Sequence, residues 1–100
     1  MAQLVVLYKA PKDTAAFDNH YLQIHIPLAK KLPGLRKYEI SQGPVMTPVG
    51  PSGFHLIATL HFDDIASIQN AFASAEGKAT AADAQSLGPL EMFLFDSQEV

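Results

Sequence analysis

Phe54-His55-Leu56-Ile57-Ala58-Thr59-Leu60-His61-Phe62 decides the fold of this 100-residue chain. Its even positions are all apolar, and its odd ones are His55, Ile57, Thr59 and His61. A period of two over this length marks a strand with one face buried. Asp63-Asp64 then caps a helix in which Ile65, Ile68, Ala71, Phe72 and Ala75 keep helical spacing until Gly77 breaks it. Ala79 to Leu87 adds a further helical turn or two. After Gly88-Pro89 a last strand runs from Glu91 to about Ser97.

Upstream, the turn-rich segment Gly43 to Gly53 predicts a hairpin loop. Before it, Leu35 to about Met46 alternates as a second strand. Gln3 to Lys9 carries apolar residues of both parities, as in a strand buried on both faces. A helix begins at an Asp13 or Thr14 cap and ends at Pro33-Gly34. Its apolar stripe is Phe17, Tyr21, Ile24, Leu28 and Leu32. The order β-α-β-β-α-β predicts an α+β, ferredoxin-like domain spanning residues 1–100, with both helices on one face of a four-stranded antiparallel sheet.

The helix-free face has no cover within one chain. Hydrophobic residues make up 48% and charged residues 17%, an apolar balance that a domain this small buries poorly alone. The expectation is a homodimer through that face, with the even side of the third strand turned toward the partner. Two sheets meeting this way form a dimeric α/β barrel.

Net charge is −3, with no basic cluster beyond Lys30-Lys31 and Arg36-Lys37, which argues against nucleic acid. No apolar run reaches the roughly 18 residues of a membrane span, and the start reads as a strand rather than a signal peptide, so the cytoplasm is expected. The absence of cysteine removes thiolate metal sites and cysteine nucleophiles. No phosphate-binding glycine loop or serine elbow is present.

The chemistry that remains belongs to histidine and tyrosine. His20 and His25 lie five apart, about 140° around an α-helix, so they are not expected to face one metal ion. No metal and no cofactor is expected. His25 borders the helical stripe, while His55 and Tyr38 lie on strands beside it. Two imidazoles and a phenol can exchange protons near neutral pH. These three are the candidate catalytic residues, with Phe17, Tyr21 and Leu28 as candidate substrate-binding side chains. His20 and His61 read as structural. Pro27 removes a helical donor at a cost of about 3 kcal/mol; it either bends the helix over the sheet or aims His25.

The pattern Phe17-x-x-His20-Tyr21-x-x-x-His25-x-Pro27-Leu28-Ala29, with Leu32-Pro33-Gly34-Leu35 after it, resembles the signature of the EthD family. Phe54 to Ala58 and Phe62-Asp63-Asp64 resemble the family's next block. The resemblance implies a ferredoxin-like homodimer of the dimeric α/β-barrel superfamily, with a cavity between helices and sheet. In methylisomerase relatives that cavity holds histidines and a tyrosine, matched here by His25, Tyr38 and His55. The family's namesake is encoded with an ether-degrading monooxygenase system, and members are often labelled reductases; no flavin or nicotinamide motif supports that label here.

The expected function is cofactor-independent acid–base chemistry on an organic ring or carbonyl compound, of isomerase, lactone or dehydratase type. The alternative is a non-catalytic ligand-binding or accessory protein of an oxidative degradation pathway.

Overall fold

The computed structural model describes residues 1–100. In chain order it contains β1 (Ala2–Lys9), α1 (Thr14–His20), a π-helical turn (Tyr21–His25), α2 (Ile26–Ala29), β2 (Lys37–Ile40), β3 (Met46–Thr47), β4 (Gly50–Pro51), β5 (Phe54–Phe62), α3 (Ile65–Ala73), α4 (Ala75–Ser86) and β6 (Leu90–Asp96). Four strands pair antiparallel in the order β2-β5-β1-β6, the ferredoxin-like arrangement. β3 and β4 form a separate two-stranded ribbon within the expected hairpin loop. β2 is shorter than its pattern suggests. The Ser41 hydroxyl accepts from the Ile57 N–H at 3.0 Å and ends the regular ladder.

The even residues of β1 (Ala2, Leu4, Val6, Tyr8) and of β5 (Leu56, Ala58, Leu60, Phe62) are buried with Phe17, Tyr21, Ala29, Leu32, Ile68, Ala71 and Ala84. The even face of β5 therefore meets the helices, which corrects the expectation that it faces a partner. Burial under two helices selects the more uniformly apolar side of a strand, because no water remains there to solvate a polar group. The helix-free face carries the odd set. Val5 stands between Thr59 and Phe93, and Leu7 beside Ile57. Phe93 and Phe95 are 55% and 41% exposed on that side. The odd residues of β1 are correspondingly only half-buried.

The first helix departs from the α-periodicity. Asp13 caps it by accepting from the Ala16 N–H at 3.0 Å. The five-residue π-helical turn then intervenes, with the Ile26 N–H bonding the Tyr21 carbonyl, i to i+5. One extra residue in the ladder moves the buried stripe on by one position. Phe17, Tyr21, His25, Ala29 and Leu32 are buried, whereas Ile24 is 47% exposed and Leu28 only partly covered. Pro27 lies in the first turn of α2, just past the bulge, and supplies no N–H to the α ladder.

Gly77 does not break the last helical stretch. Ser74 does, with extended dihedrals (φ −74, ψ 164) and a side chain that caps α4 by accepting from the Gly77 N–H at 3.1 Å. Gly77 is buried in the first turn of α4, where a Cβ would strike the Ala71 carbonyl oxygen and lie 2.5 Å from the Phe72 Cα. Glycine is required there by the close approach of α3 to α4.

Candidate functional site

The π-helical turn places His25 inward, 4% exposed. Its Nδ1 lies 2.9 Å from Oδ2 of Asp83 on α4, and His20 Nε2 lies 2.8 Å from the other oxygen of the same carboxylate. Residues five apart stack on one face of an i→i+5 turn, although they diverge on an α-helix. This corrects the expectation that His20 and His25 point apart. They share one carboxylate.

Burial lowers the His25 pKa below the ordinary imidazole value, and the Asp83 contact offsets part of that effect. His25 is neutral at pH 7 in consequence. Burial raises the Asp83 pKa, but the bonds from His20 and His25 outweigh it and leave the carboxyl below its ordinary value. Asp83 is therefore an anion at neutral pH. With Nδ1 spent on Asp83, Nε2 is the His25 nitrogen left for another group.

Two hydroxyls and a ring close the inner wall. Tyr21 and Tyr38 meet oxygen to oxygen at 2.5 Å. Tyr21 also stacks at 5.8 Å on Phe17, and its ring lies 4.9 Å from that of His25. Burial raises the pKa of both phenols, so both stay protonated. His25, Tyr21 and Tyr38 line a void of about 20 Å³, together with apolar side chains including Leu4, Val6, Leu60 and Phe72. That is room for one water-sized group.

His55 lies elsewhere. Tyr8 pairs with Leu56 and Lys9 with Phe54, so His55 is the unopposed residue of a β-bulge. The bulge re-aims its side chain toward α1, where Nε2 meets Asp18 Oδ1 at 2.7 Å and the ring abuts Phe17 edge-on at 5.1 Å. His55, Asp18, Leu22, Ile40, Met46 and Phe54 border an open cleft of about 650 Å³, and Tyr21 borders both this cleft and the void. The structure thus brings His25, Tyr38 and Tyr21 together and puts His55 at the cleft beyond Phe17. Of the expected substrate-binding side chains, Phe17 and Leu28 line neither space; Phe17 packs behind Tyr21 and His55. His61 bonds Glu39 at 2.8 Å on the helix-free side of the sheet.

Asp83 escapes sequence reasoning because nothing local links it to His25, 58 residues away. One trace exists: an aspartate in the last turns of an Ala-rich helix opposes both helix propensity and the helix dipole. Here its tertiary partners are His20 and His25.

A family model described as the EthD domain matches residues 9–87. The chain belongs to the EthD family. A structurally characterised EthD family protein from Bacillus halodurans is 36% identical, covering 98% of this chain and 99% of that one, with a TM-score of 0.91. An uncharacterised 11.0 kDa protein from the thcB–thcC intergenic region of Rhodococcus erythropolis is 33% identical over 100% of this chain and 98% of its own length. Beyond the EthD family, the fold alone is shared with SnoaB of Streptomyces nogalater, a cofactor-independent oxygenase, at 15% identity, with 99% and 94% of the chains covered and a TM-score of 0.71. The EthD match spans the helix that carries His20 and His25, the strand of His55 and the helix of Asp83.

Proposed function

We propose that this EthD protein is a small cofactor-independent enzyme that moves a proton on an organic carbonyl or ring compound. One observation carries the reading: a neutral, buried His25 is held by the Asp83 carboxylate beside the phenols of Tyr21 and Tyr38 in a largely apolar chamber. A histidine tied to a carboxylate through Nδ1 presents Nε2 as a base and is stabilised once it becomes imidazolium. His25 Nε2 takes a proton from a carbon next to the carbonyl. The C–H electron pair moves into the new C=C bond, and the carbonyl oxygen becomes an enolate that accepts from Tyr38. Return of the proton at another carbon gives an isomer, and loss of a leaving group gives a lyase product.

The substrate body occupies the cleft, where His55 orients it, with Tyr21, backed by Phe17, forming the wall shared with the chamber. SnoaB, which shares the fold, is described as cofactor-independent, in keeping with chemistry carried by side chains. The protein acts as a homodimer joined through the helix-free face, where Val5, Leu7, Ile57, Phe93 and Phe95 form an apolar surface.

The test is exchange in heavy water. Wild type and His25→Ala are incubated with a panel of cyclic ketones and unsaturated lactones, and deuterium at the α-carbon is followed by NMR. The reading expects exchange above the uncatalysed rate that is lost in the variant. Equal exchange by both proteins would contradict it. A second reading, a ligand-binding accessory protein, is favoured by the cleft, which His25 does not line. It expects saturable binding without exchange.

A further inference from the structure

Tyr8 is unassigned by the reading above, yet it is among the most deeply buried polar side chains in the chamber wall. It lies on β1, one of the two central strands, and is 1% exposed. Its ring is held edge-on by Phe17 at 5.4 Å, Tyr21 at 5.6 Å and His25 at 6.4 Å. The hydroxyl of Tyr21 meets Tyr38, whereas that of Tyr8 bonds no protein group. Every buried side-chain nitrogen or oxygen sealed from solvent-sized space has a partner in this protein. The Tyr8 hydroxyl therefore opens on the void it lines with His25. A buried hydroxyl without a partner is costly unless something occupies that space.

The charge inventory narrows the occupant. No lysine or arginine lines the void or the cleft, and the one carboxylate at the cleft, Asp18, is held by His55. An anionic ligand would enter without a counter-charge and beside a negative group, at a heavy desolvation cost. The apolar walls suit a neutral body. The void is sized for a single oxygen-bearing group, with Tyr21 standing between it and the larger cleft.

We propose that the Tyr8 hydroxyl is a second hydrogen-bond donor, beside Tyr38, for the ligand's carbonyl oxygen, and that the ligand is an uncharged organic carbonyl compound. Burial raises the Tyr8 pKa, so the phenol keeps its proton and has an O–H to donate. This deepens the proposed proton-transfer reading and rests on it for the reaction, but the binding claim stands separately.

The experiment measures binding by chemical-shift titration of wild type and Tyr8→Phe with three probes of one shape: acetophenone, which is neutral and carries a carbonyl; benzoate, its anionic counterpart; and ethylbenzene, which lacks the oxygen. Wild type is expected to bind acetophenone more tightly than either of the others. Tyr8→Phe keeps the ring and removes a hydroxyl with no protein partner, so its thermal unfolding midpoint is not expected to fall. Its affinity for acetophenone is expected to drop about 3- to 10-fold, the loss of one hydrogen bond, with ethylbenzene unaffected. Equal affinity of both proteins for acetophenone, or an equal drop for ethylbenzene, would overturn the donor role. Preference for benzoate, or no binding of any probe, would overturn the ligand class. Carbonyl-selective binding without deuterium exchange would sink the catalytic reading and leave Tyr8 in place.

Discussion

His25 Nδ1 and Asp83 Oδ2 lie 2.9 Å apart, although 58 residues separate them in the chain. The contact exists because a π-helical turn carries His25 to the inner face of its helix, where α4 offers one carboxylate. An α-helix continued through the same residues would keep Ile24 on the stripe in place of His25. Exposing an isoleucine and burying an imidazole works against folding, and the Asp83 contact offsets part of that cost.

The Asp83 carboxylate fixes the tautomer of His25, while burial keeps the ring neutral. Asp83→Asn keeps the shape but removes the charge that supports an imidazolium. The expected result is a fall in kcat of about 100-fold or more on any substrate turned over through His25, with KM little changed. Steady-state kinetics beside circular dichroism checks this, since a folding defect would lower the amount of active protein and leave KM and pH profile alone.

Stability should weaken on the acid side. His25 has a lowered pKa in the folded chain, so the unfolded chain takes up a proton that the native one refuses. The stabilising contribution is full above the ordinary imidazole value near 6.5 and is lost as pH falls toward the folded value. The slope from this one proton is at most about 1.4 kcal/mol per pH unit. His25→Phe removes it. Asp83, also lowered, adds its own loss at more acid pH, below about 3.8. Urea titrations at several pH values distinguish the two windows.

Gly77→Ala tests the seam between the last two helices. A methyl group has no space against the Ala71 carbonyl and the Phe72 backbone, and both are backbone atoms that cannot swing aside. The expected loss is about 1–3 kcal/mol or more. Thermal unfolding of the variant would show it as a lowered midpoint.

The two faces of the sheet give opposite phenotypes, read at Phe93 on β6 and Leu60 on β5. Phe93→Asp puts a charge on the helix-free apolar face and is expected to yield a folded monomer by light scattering. Leu60→Asp buries the same charge under the helices and is expected to unfold the chain. A dimer surviving Phe93→Asp would move the interface elsewhere.

Much of this fold is written in local pattern. The alternation of Phe54 to Phe62, the cap at Asp13 and the turn-rich loop after Gly43 place the elements without any tertiary information. Which face of β5 meets the helices is not local, because Phe54 to Phe62 alternates identically whichever layer covers it. Only the half-exposed row of Val5, Ile57 and Phe93 reveals the free side. In the candidate site, His25 and Tyr38 are legible as residue types that carry proton chemistry. The π-helical turn is not, since a 3.6-residue period selects Ile24 and Leu28, and Pro27 is its one visible trace. His20, read as structural, shares Asp83 with His25 because of that same turn. Tyr8 hides in a run of strand residues that core packing alone accounts for.

The central claim is most directly tested by long-range proton–nitrogen NMR of the His25 ring across pH 4 to 8, a range bracketing the ordinary imidazole value of about 6.5. The account predicts a neutral ring protonated at Nδ1, facing Asp83, with a free Nε2, and a titration below that ordinary value. A ring protonated at Nε2 when neutral, or one that titrates at or above the ordinary value, would contradict it.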